Sequence, residues 1–350
     1  MYSNAVFDSK TGNYCRYFTN ELFVLSNKIK SIYNSKFAYI FNSGLNANFI
    51  SIDILINNSK NSIIIYPSES YFENIEILQY IQKIYNIKIY EFDILNMFQL
   101  HELLKLPQHK ILILESCTNP HGYIFDFSLI SKIKQHNTSV IIDNTWLSGY
   151  VFNPLCYEAD IVTESMTKYY CANTELAGCC VFNNVNYNDL FDKYIRFTGI
   201  HISPVVIRSI NETINNTINR LYKISNTAIS TINYLLKSNF IIINPCLTNH
   251  PSYYNFCKYF DNYYIGTFLI GFYHSENDIK HMMKKIKIFK IKSSFCYDKT
   301  IIDKKIYKMK NFYKNENLNF IRLSVGYDDN YNKIISGINE LTNLLNNDFL

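Results

Sequence analysis

The sequence predicts an α/β protein whose larger domain is a mainly parallel sheet of seven strands with helices on both faces. The first observation is a series of short apolar runs in the first half of the chain, which begin at Phe37, Ser62, Ile87, Lys110, Ser139, Ala159 and Gly178. The runs are continuously apolar instead of alternating, which is typical of strands buried on both faces. The second observation is that helix-like segments separate most of these runs, among them residues 46–56, 71–85 and 129–135.

The second half of the chain predicts a long connecting helix followed by a smaller α/β domain. Residues 203–236 form a helical pattern with almost no helix-breaking residues, and the shorter elements "TFLIGF", "KIFKIK", "FIRLSVG" and a closing helix over residues 332–345 follow it. We therefore predict a short N-terminal segment over residues 1–30, a large ligand-binding domain over residues 31–220 and a small C-terminal domain over residues 221–350.

Composition and charge favour a globular protein that binds neither nucleic acid nor membrane. Hydrophobic residues make up 48% of the chain, and the formal net charge of +5 is spread along it instead of forming a basic stripe. The most basic run, "KHMMKKIKIFKIK" at residues 280–292, is interpreted as the solvated face of a helix that leads into a strand. No apolar run in the sequence approaches the roughly 20 residues that span a bilayer.

The 9 cysteines predict a reducing compartment, which we take to be the cytoplasm. They include no C-x-x-C pair, and Cys117, Cys179 and Cys180 lie inside apolar strand-like runs, where we expect small core residues. The sequence shows no signal-peptide pattern at its start. It predicts no metal site.

Polar residues follow four of the predicted strands directly, at the edge of a parallel sheet where ligands bind. The four stretches are "FNSGLNAN", "ESCTNPHG", "DNTW" and "ESMTKYY". The first also opens a predicted helix, so the backbone N–H groups of Ser43, Gly44 and Leu45 would face an anion at a helix N-terminus. A simple turn is the ordinary alternative for an Asn-Ser-Gly sequence.

Asp143 and Lys168 are the candidate reactive groups at these strand ends. A carboxylate at the end of a buried strand is costly to desolvate, so Asp143 either caps a helix or pairs with a cation. Lys168 follows Ser165 and Thr167, whose hydroxyls could hold a phosphate while the lysine amine bonds an aldehyde. An ordinary surface lysine is the alternative. At consecutive strand ends, these residues together predict a pyridoxal phosphate site.

The same stretches resemble the signature of the pyridoxal-phosphate-dependent Cys/Met metabolism enzymes. "ESCTNP", "IIDNTWLSG" and "EADIVTESMTKYY" are similar to that family's E-x-P-x-N-P, D-N-T and A-D-I-V-x-x-S-x-T-K-Y motifs. "YCRYFTNELFVLSNKI", "NSGLNAN" and "FIRLSVGYDD" extend the resemblance from about Tyr14 to the C-terminus. The family includes cystathionine γ-synthase, the cystathionine β- and γ-lyases and homoserine-ester sulfhydrylases, and the resemblance implies a fold-type I pyridoxal-phosphate transferase.

The resemblance implies roles for the residues on the cofactor side. Lys168 would bond the cofactor's aldehyde and act as the catalytic base, Asp143 would pair with the pyridine nitrogen, and Tyr71 would stack on the ring and assist catalysis. The phosphate contacts would come from Ser43, Gly44, Leu45, Ser165 and Thr167 and, across a subunit boundary, from Tyr14 and Arg16 of the N-terminal segment.

The resemblance also implies a substrate side, and the departures from the family pattern fall there. Asn119, Ser294 and Arg322 would contact the substrate, with Asn119 and Arg322 holding its α-carboxylate. A surface ion pair is the alternative for Arg322. The family's G-H-x-D is replaced by "ANTE" at residues 172–175, and the glycine pair of its S-L-G-G loop is replaced by Cys296 and Tyr297.

The predicted function is the formation or cleavage of a C–S bond in cystathionine or a homoserine derivative. "TNP" at residues 118–120 favours the γ-synthase and γ-lyase branch, whereas "DNTWLSG" is similar to cystathionine β-lyases, although Trp146 is equally explained by core packing. We expect a small amino-acid substrate and a homodimer or homotetramer. The altered loops leave open a diverged homologue that binds the cofactor and serves as a non-catalytic partner.

Overall fold

The structure is a computed structural model. It describes residues 8, 10, 12, 14–16, 19–59, 61–260, 263, 265–309, 312–313 and 318–347, so the predicted N-terminal segment over residues 1–30 lies partly outside the described residues. The chain divides into two compact units. The first consists of Met1–Asn119 and Tyr123–Asn216, and the second consists of Pro120–Gly122 and Thr217–Leu350.

The first unit is built on a seven-stranded sheet. Its strands are β1 (Phe37–Phe41), β2 (Ser62–Pro67), β3 (Lys88–Phe92), β4 (His109–Glu115), β5 (Thr138–Asp143), β6 (Ile161–Glu164) and β7 (Gly178–Phe182). They lie in the order β1-β7-β6-β5-β4-β2-β3, and every neighbouring pair is parallel except the two that include β7. The prediction of a mainly parallel seven-stranded sheet is confirmed.

Helices connect these strands. They are α1 (Asn20–Tyr33), α2 (Gly44–Asn58), α3 (Phe72–Tyr85), α4 (Met97–Leu104), α5 (Ile130–Lys134), α6 (Ser148–Val151), α7 (Val185–Thr198) and α8 (Pro204–Thr213). The predicted helices over residues 46–56, 71–85 and 129–135 correspond to α2, α3 and α5.

The core of the first unit explains why its strands could be predicted from the sequence. Six of the seven residues of β4, "HKILILE", are buried, and α2 buries Ile50 and Ile54 in the same apolar cluster as Ile64 and Phe182. Each such side chain contributes roughly 1.5–3 kcal/mol by its burial. Continuous burial therefore requires continuous apolar sequence. The expected core cysteines Cys117, Cys179 and Cys180 are buried as well.

The second unit contains a five-stranded sheet in the order β10-β11-β12-β9-β8. The strands are β8 (Ile241–Ile243), β9 (Thr267–Phe272), β10 (Lys290–Ile291), β11 (Ile301–Tyr307) and β12 (Asn319–Ser324), and the helices are α9 (Thr217–Lys237), α10 (Tyr253–Tyr259), α11 (Glu276–Lys285) and α12 (Tyr331–Asn347). The predicted strands in "TFLIGF" and "FIRLSVG" are β9 and β12. The basic run begins on α11 and continues into β10.

Two expectations for this part of the chain differ from the structure. The predicted helix over residues 203–236 is interrupted by a 3-10 turn at Ile214–Asn216, which separates α8 from α9. The turn contains two consecutive asparagines, Asn215 and Asn216, and the side chain of an asparagine competes with helical hydrogen bonding. β11 was not predicted, because Asp303, Lys304 and Lys305 interrupt its apolar pattern.

No helix among the described residues is long and apolar enough to cross a membrane.

Substitution of Gly178 in β7 tests the packing between β7 and the start of α2. A Cβ at this position would clash with the backbone of Ser43 and would lie 2.6 Å from the backbone nitrogen of Gly44. We expect Gly178→Ala to lower the free energy of unfolding by about 3 kcal/mol, since neither backbone segment can move aside freely. Urea denaturation of the purified variant measures this.

Gly199→Ala is the matched control for this substitution. Gly199 has φ +68° and nothing within 4 Å of an added Cβ, so its replacement adds backbone strain of about 1–2 kcal/mol without a clash. Equal losses for the two variants would contradict the close approach of β7 to α2.

Candidate active site

Three carboxyl side chains stand at the carboxyl ends of adjacent parallel strands. Glu115 ends β4, Asp143 ends β5 and Glu164 ends β6, with Glu115 paired in register with Asp143. Asp143 is paired in turn with Thr163, the neighbour of Glu164. The strand ends predicted to bind a ligand therefore concentrate acidic groups in one part of the first unit.

Asp143 is held by four hydrogen-bond donors. Its Oδ2 accepts from Asn48 Nδ2 at 2.8 Å and from Asn74 Nδ2 at 3.4 Å. Its Oδ1 accepts from the backbone N–H of Thr145 at 3.0 Å and from Thr145 Oγ1 at 2.5 Å. Asp143 does not cap α6, which begins at Ser148. The four donors fix the orientation of a half-buried carboxylate.

Glu115 is a buried acid that sequence analysis did not single out. Its Oε1 accepts from the backbone N–H of Tyr71 at 2.5 Å and from Asn74 Nδ2 at 3.4 Å, and the backbone of Asn119 also hydrogen-bonds the carboxyl. Burial, and then the charge of Asp143, raise the pKa of Glu115 to about 8. The position of Glu115 at the end of "ILILE" was the available signal, the same signal that identified Asp143.

Lys168 lies in the turn that follows β6, and its backbone N–H donates to Ser165 O at 3.3 Å. Thr145 Oγ1 accepts the backbone N–H of Ser165 at 2.8 Å while it donates to Asp143. The turn that contains Lys168 is thus hydrogen-bonded, through Thr145, to the strand end that contains Asp143. Lys168 itself is half-buried.

The N-terminus of α2 lies against Ser165. Ser43 caps this helix by accepting the backbone N–H of Asn46 at 3.1 Å, and Gly44 and Leu45 are its first two residues. A Cβ on Gly44 would lie 2.6 Å from Ser165 Cβ, so glycine is required for the serine to approach the helix start. Helix N–H groups beside a hydroxyl suit an anion.

The hydroxyl of Thr167 has backbone partners of its own. Thr167 Oγ1 donates to Ala177 O at 3.2 Å and accepts from Ala177 N at 3.0 Å. These bonds fasten the turn that contains Lys168 to the residue just before β7. The hydroxyl has a single proton, so donation to a phosphate would replace the bond to Ala177 O.

Tyr71, the pair of Tyr14 and Arg16, and Trp146 are further residues of the first unit that the sequence singled out. Tyr71 precedes α3, and its hydroxyl donates to Glu73 Oε2 at 2.8 Å. Arg16 packs over the ring of the exposed Tyr14, with Cζ 5.3 Å from the ring centroid. The two residues of the predicted Tyr-x-Arg pair therefore contact each other. Trp146 is buried, and its carbonyl accepts from Tyr169 Oη at 3.0 Å.

A second polar cluster, formed by Glu164, Tyr33, Tyr170 and Asn144, is buried in the first unit. Glu164 Oε2 accepts from Tyr33 Oη at 2.5 Å and from Tyr170 Oη at 3.1 Å, and Asn144 Nδ2 donates to Tyr33 Oη at 3.0 Å. Burial raises the pKa of Glu164 well above its ordinary value. The cluster joins the chain neighbours of Asp143 and Ser165 to Tyr170, two residues after Lys168.

Arg322 and Ser294 belong to the second unit. Arg322 is 4% exposed, and its Nη2 lies 2.6 Å from Asp303 Oδ2 and donates to Ser294 O at 3.3 Å. Asp303 is 5% exposed. The ion pair considered for Arg322 exists, but it is buried rather than on the surface, because both partners are enclosed in the sheet.

The two loops that depart from the family motifs have positive φ angles. Ala172 and Asn173 have φ of +51° and +59°, and Ser294 and Cys296 have φ of +125° and +61°. Glycine adopts these angles without strain, whereas other residues do so at a cost. Ala172 and Cys296, which stand where the resembled motifs have glycine, therefore adopt backbone conformations that favour glycine.

The residues of the first unit fit pyridoxal phosphate. A helix N-terminus and the Ser165 hydroxyl can receive a phosphate, the fixed carboxylate of Asp143 can face a protonated ring nitrogen, and Lys168 can supply an amine. A family model described as Cys/Met metabolism PLP-dependent enzyme matches residues 4–343. The chain belongs to this family. Its membership confirms the predicted family, the pyridoxal phosphate cofactor and the class of enzyme.

Individual relatives agree with this assignment. A cystathionine beta-lyase of Schizosaccharomyces pombe is 24% identical over 333 residues, which cover 92% of this chain and 81% of that protein. A cystathionine beta-lyase of Neurospora crassa is 29% identical over 181 residues, which cover 51% of this chain and 39% of that protein. An L-methionine gamma-lyase of Treponema denticola is 35% identical over 97 residues, 27% of this chain and 23% of that protein.

Solved structures share the fold across almost the whole chain. The structure of metB from Corynebacterium glutamicum has a TM-score of 0.84 at 18% identity and covers 99% of this chain and 92% of that one. Cystathionine gamma synthase from Xanthomonas oryzae pv. oryzae, in complex with cystathionine, has a TM-score of 0.84 at 17% identity, with 98% and 91% covered. The predicted fold-type I architecture is confirmed.

Glu115 makes the stability of the protein depend on pH. An acid whose pKa rises on folding, here from 4.5 to about 8, keeps a proton in the folded protein that the unfolded chain has lost. The stability contribution of Glu115 is therefore fully present below the unfolded pKa and falls as pH rises toward the folded pKa. Glu115→Gln lacks this fall, so its stability relative to the parent should increase with pH, by at most about 1.4 kcal/mol per pH unit.

Urea denaturation of the cofactor-free protein at several pH values between 5 and 9 measures the difference. Glu76→Gln, on the exposed face of α3, is the control and should show no such trend. A constant difference between Glu115→Gln and the parent over this range would contradict the environment assigned to Glu115.

Ala172 provides a test of the strained turn. Ala172→Gly should raise the free energy of unfolding by about 1 kcal/mol, because it removes the strain of a positive φ from a half-buried residue. Thermal denaturation measures the change. Ala159→Gly, at a buried position that has no positive φ, should instead lower stability, and a loss in both variants would contradict the strained turn.

Proposed function

We propose that this chain uses pyridoxal phosphate to form or cleave a C–S bond in cystathionine or a homoserine derivative. The family match over residues 4–343 supports the reaction class. The observation that supports a working site is the hydrogen-bonded path from Asp143 through Thr145 to the turn of Lys168. It connects a fixed carboxylate to the segment that contains the only lysine of the predicted motif.

The proposed cofactor contacts divide between the ring and the phosphate. Lys168 would hold the cofactor through its amine, Asp143 would accept a hydrogen bond from the ring nitrogen, and Tyr71 would pack on the ring. Pyridoxal phosphate, when bound, supplies an electron sink that stabilises negative charge at the substrate's α-carbon. The proposed phosphate contacts are Ser43, Gly44, Leu45, Ser165, Thr167 and, from a neighbouring subunit, Tyr14 and Arg16.

Lys168 and Asp143 have separate tasks in the proposed reaction. Lys168 Nζ would take the proton from the substrate's α-carbon and return it to a neighbouring carbon, as a general base and then a general acid. Asp143 would keep a negative charge facing the ring nitrogen throughout, held by Asn48, Asn74 and Thr145. Because these donors are already in place, no reorganisation is required during the reaction.

Cleavage at the β-carbon is the second candidate reaction. The S. pombe protein, which aligns with 92% of this chain, is named a cystathionine beta-lyase. Asn119, Ser294 and Arg322 are the proposed substrate contacts in either reaction. The pairing of Arg322 with Asp303 also favours the third candidate, a cofactor-binding homologue that acts as a non-catalytic partner.

We propose further that the protein is a cytoplasmic homodimer or homotetramer that acts on small amino acids. The nine cysteines Cys15, Cys117, Cys156, Cys171, Cys179, Cys180, Cys246, Cys257 and Cys296 are free, which suits a reducing compartment. The exposed Tyr14 next to Arg16 offers a cation and an aromatic ring to a neighbouring chain.

Absorbance of the purified protein and product analysis test the function. The protein should show the visible absorbance of bound pyridoxal phosphate, and Lys168→Ala should lose it while the exposed-helix variant Lys83→Ala keeps it. With cystathionine, pyruvate indicates β-cleavage and 2-oxobutyrate indicates γ-cleavage. A colourless protein that does not take up added pyridoxal phosphate would overturn the proposal, and a coloured protein without turnover would support the non-catalytic partner.

A further inference from the structure

The turn that follows β6 in the first unit is closed by a side-chain hydrogen bond across it. Glu164 is the last residue of β6, and its Oε2 accepts from Tyr170 Oη at 3.1 Å. The two residues are six positions apart in the chain, and the segment between them contains Ser165 and Lys168. Glu164 is 1% exposed and Tyr170 is fully buried. The bond therefore ties the far side of the turn back to the sheet in the interior of the unit.

The carboxyl group that accepts this bond is itself held in place. Glu164 belongs to a strand that pairs with β5 on one side and with β7 on the other. Tyr33, the last residue of α1, donates to the same Oε2 at 2.5 Å, and Asn144 Nδ2 donates to Tyr33 Oη at 3.0 Å. Because the sheet and α1 both fix the carboxyl, it is a rigid anchor for the hydroxyl of Tyr170.

The turn contains backbone strain that requires such an anchor. Ala172 and Asn173 have φ of +51° and +59°, and such angles persist in residues other than glycine only where the surrounding structure holds them. The backbone N–H of Asn173 donates to Thr167 O at 2.8 Å, so the strained part of the turn is bonded to the residue just before Lys168. Tyr170 lies between these two parts in the chain. The hydrogen bond of its hydroxyl is therefore one of the contacts that hold the strained conformation.

We propose that Tyr170 and Glu164 are positioning residues for the cofactor: their hydrogen bond holds the turn so that Lys168 and Ser165 can contact one bound pyridoxal phosphate. The inference rests on the proposed function, since it concerns the binding of that cofactor. Neither positioning residue touches the cofactor, and both act through the backbone of the turn. Without their bond, part of the binding free energy would be used to order the turn, and the affinity would fall.

Two tyrosine variants that lose equivalent hydrogen bonds test the proposal. Tyr170→Phe removes one donor to Glu164 Oε2 and one acceptor, which receives the backbone N–H of Gly149 at 3.4 Å. Tyr33→Phe is the matched control, because it removes the other donor to the same oxygen and the acceptor of Asn144 Nδ2. Tyr33 belongs to α1 and not to the turn. Both variants should lower the melting temperature by a similar few degrees.

Cofactor affinity distinguishes positioning from stability. The cofactor-free proteins are titrated with pyridoxal phosphate, and the visible absorbance of the bound cofactor gives each dissociation constant. Tyr170→Phe should bind the cofactor about tenfold more weakly than the parent, as expected for the loss of one hydrogen bond that orders the binding segment. Tyr33→Phe should stay within about threefold of the parent. Equal weakening in the two variants, or no weakening in Tyr170→Phe, would overturn the proposal.

Glu164→Gln tests the acceptor of the bond. Burial raises the pKa of Glu164 well above its ordinary value, so a neutral amide is a close replacement for this side chain. The amide oxygen of glutamine can still accept from both Tyr170 and Tyr33. We expect the dissociation constant of pyridoxal phosphate to stay within about threefold of the parent value. A tenfold loss of affinity in Glu164→Gln would show that the hydrogen bond is not what holds the turn.

Hydrogen exchange of the cofactor-free protein tests the turn without any cofactor. In a peptide that covers residues 165–177, the backbone N–H of Asn173 is hydrogen-bonded to Thr167 O inside the turn. Its exchange should be about tenfold faster in Tyr170→Phe than in Tyr33→Phe, since only the first variant loosens the turn. A parent protein that takes up no pyridoxal phosphate contradicts the proposed function, whereas equal exchange in the two variants contradicts the role of Tyr170 in the turn.

Discussion

A carboxylate that ends a buried parallel strand needs hydrogen-bond partners, and the environment of Asp143 is built around this requirement. Its four hydrogen bonds come from α2, from α3 and from the residues just after β5. Asn48 and Asn74 also bond each other at 2.9 Å. The same contacts thus fix both helices at the sheet edge, and through Thr145 they reach the turn of Lys168. The hydrogen bonds of Asp143 therefore orient its carboxylate before any ligand binds, and they also hold α2 and α3 against the sheet.

Glu115, Asp143 and Glu164 show how environment separates the properties of similar groups. Glu115 and Glu164 are almost fully buried, and burial raises the pKa of each. Asp143 is half-buried and accepts more hydrogen bonds than either of them. The negative charge at Asp143 is a reason for Glu115 to keep its proton, since two adjacent buried charges would repel each other. A carboxylate held by four donors, next to two acids whose pKa is raised, suits a site that is to receive one cationic ring.

The sequence predicted those parts of the molecule that follow local rules. The seven strands of the first sheet were predicted because strands buried on both faces are continuously apolar, and Asp143 and Lys168 because they directly follow such strands. Asn48 and Asn74 were missed since their bonds to Asp143 span 95 and 69 residues, and no local pattern records them. Glu115 was missed although it ends an apolar strand as Asp143 does, and its bond to Tyr71 spans 44 residues. β11 was missed because Asp303, Lys304 and Lys305 interrupt its apolar pattern.

The first unit matches the family's sequence motifs more fully than the second unit does. The strand ends of the first unit match the family's cofactor motifs in sequence, and there Ser43 caps α2 while Thr145 donates to Asp143. The second unit keeps the arginine of "IRLSVG" but provides it with an internal carboxylate on a bulged strand. A buried guanidinium that only stabilised the fold could be replaced by an apolar residue, since such pairs rarely increase stability. The pair of Asp303 and Arg322 therefore adds little to the stability of the second unit beyond what apolar residues of the same size would give.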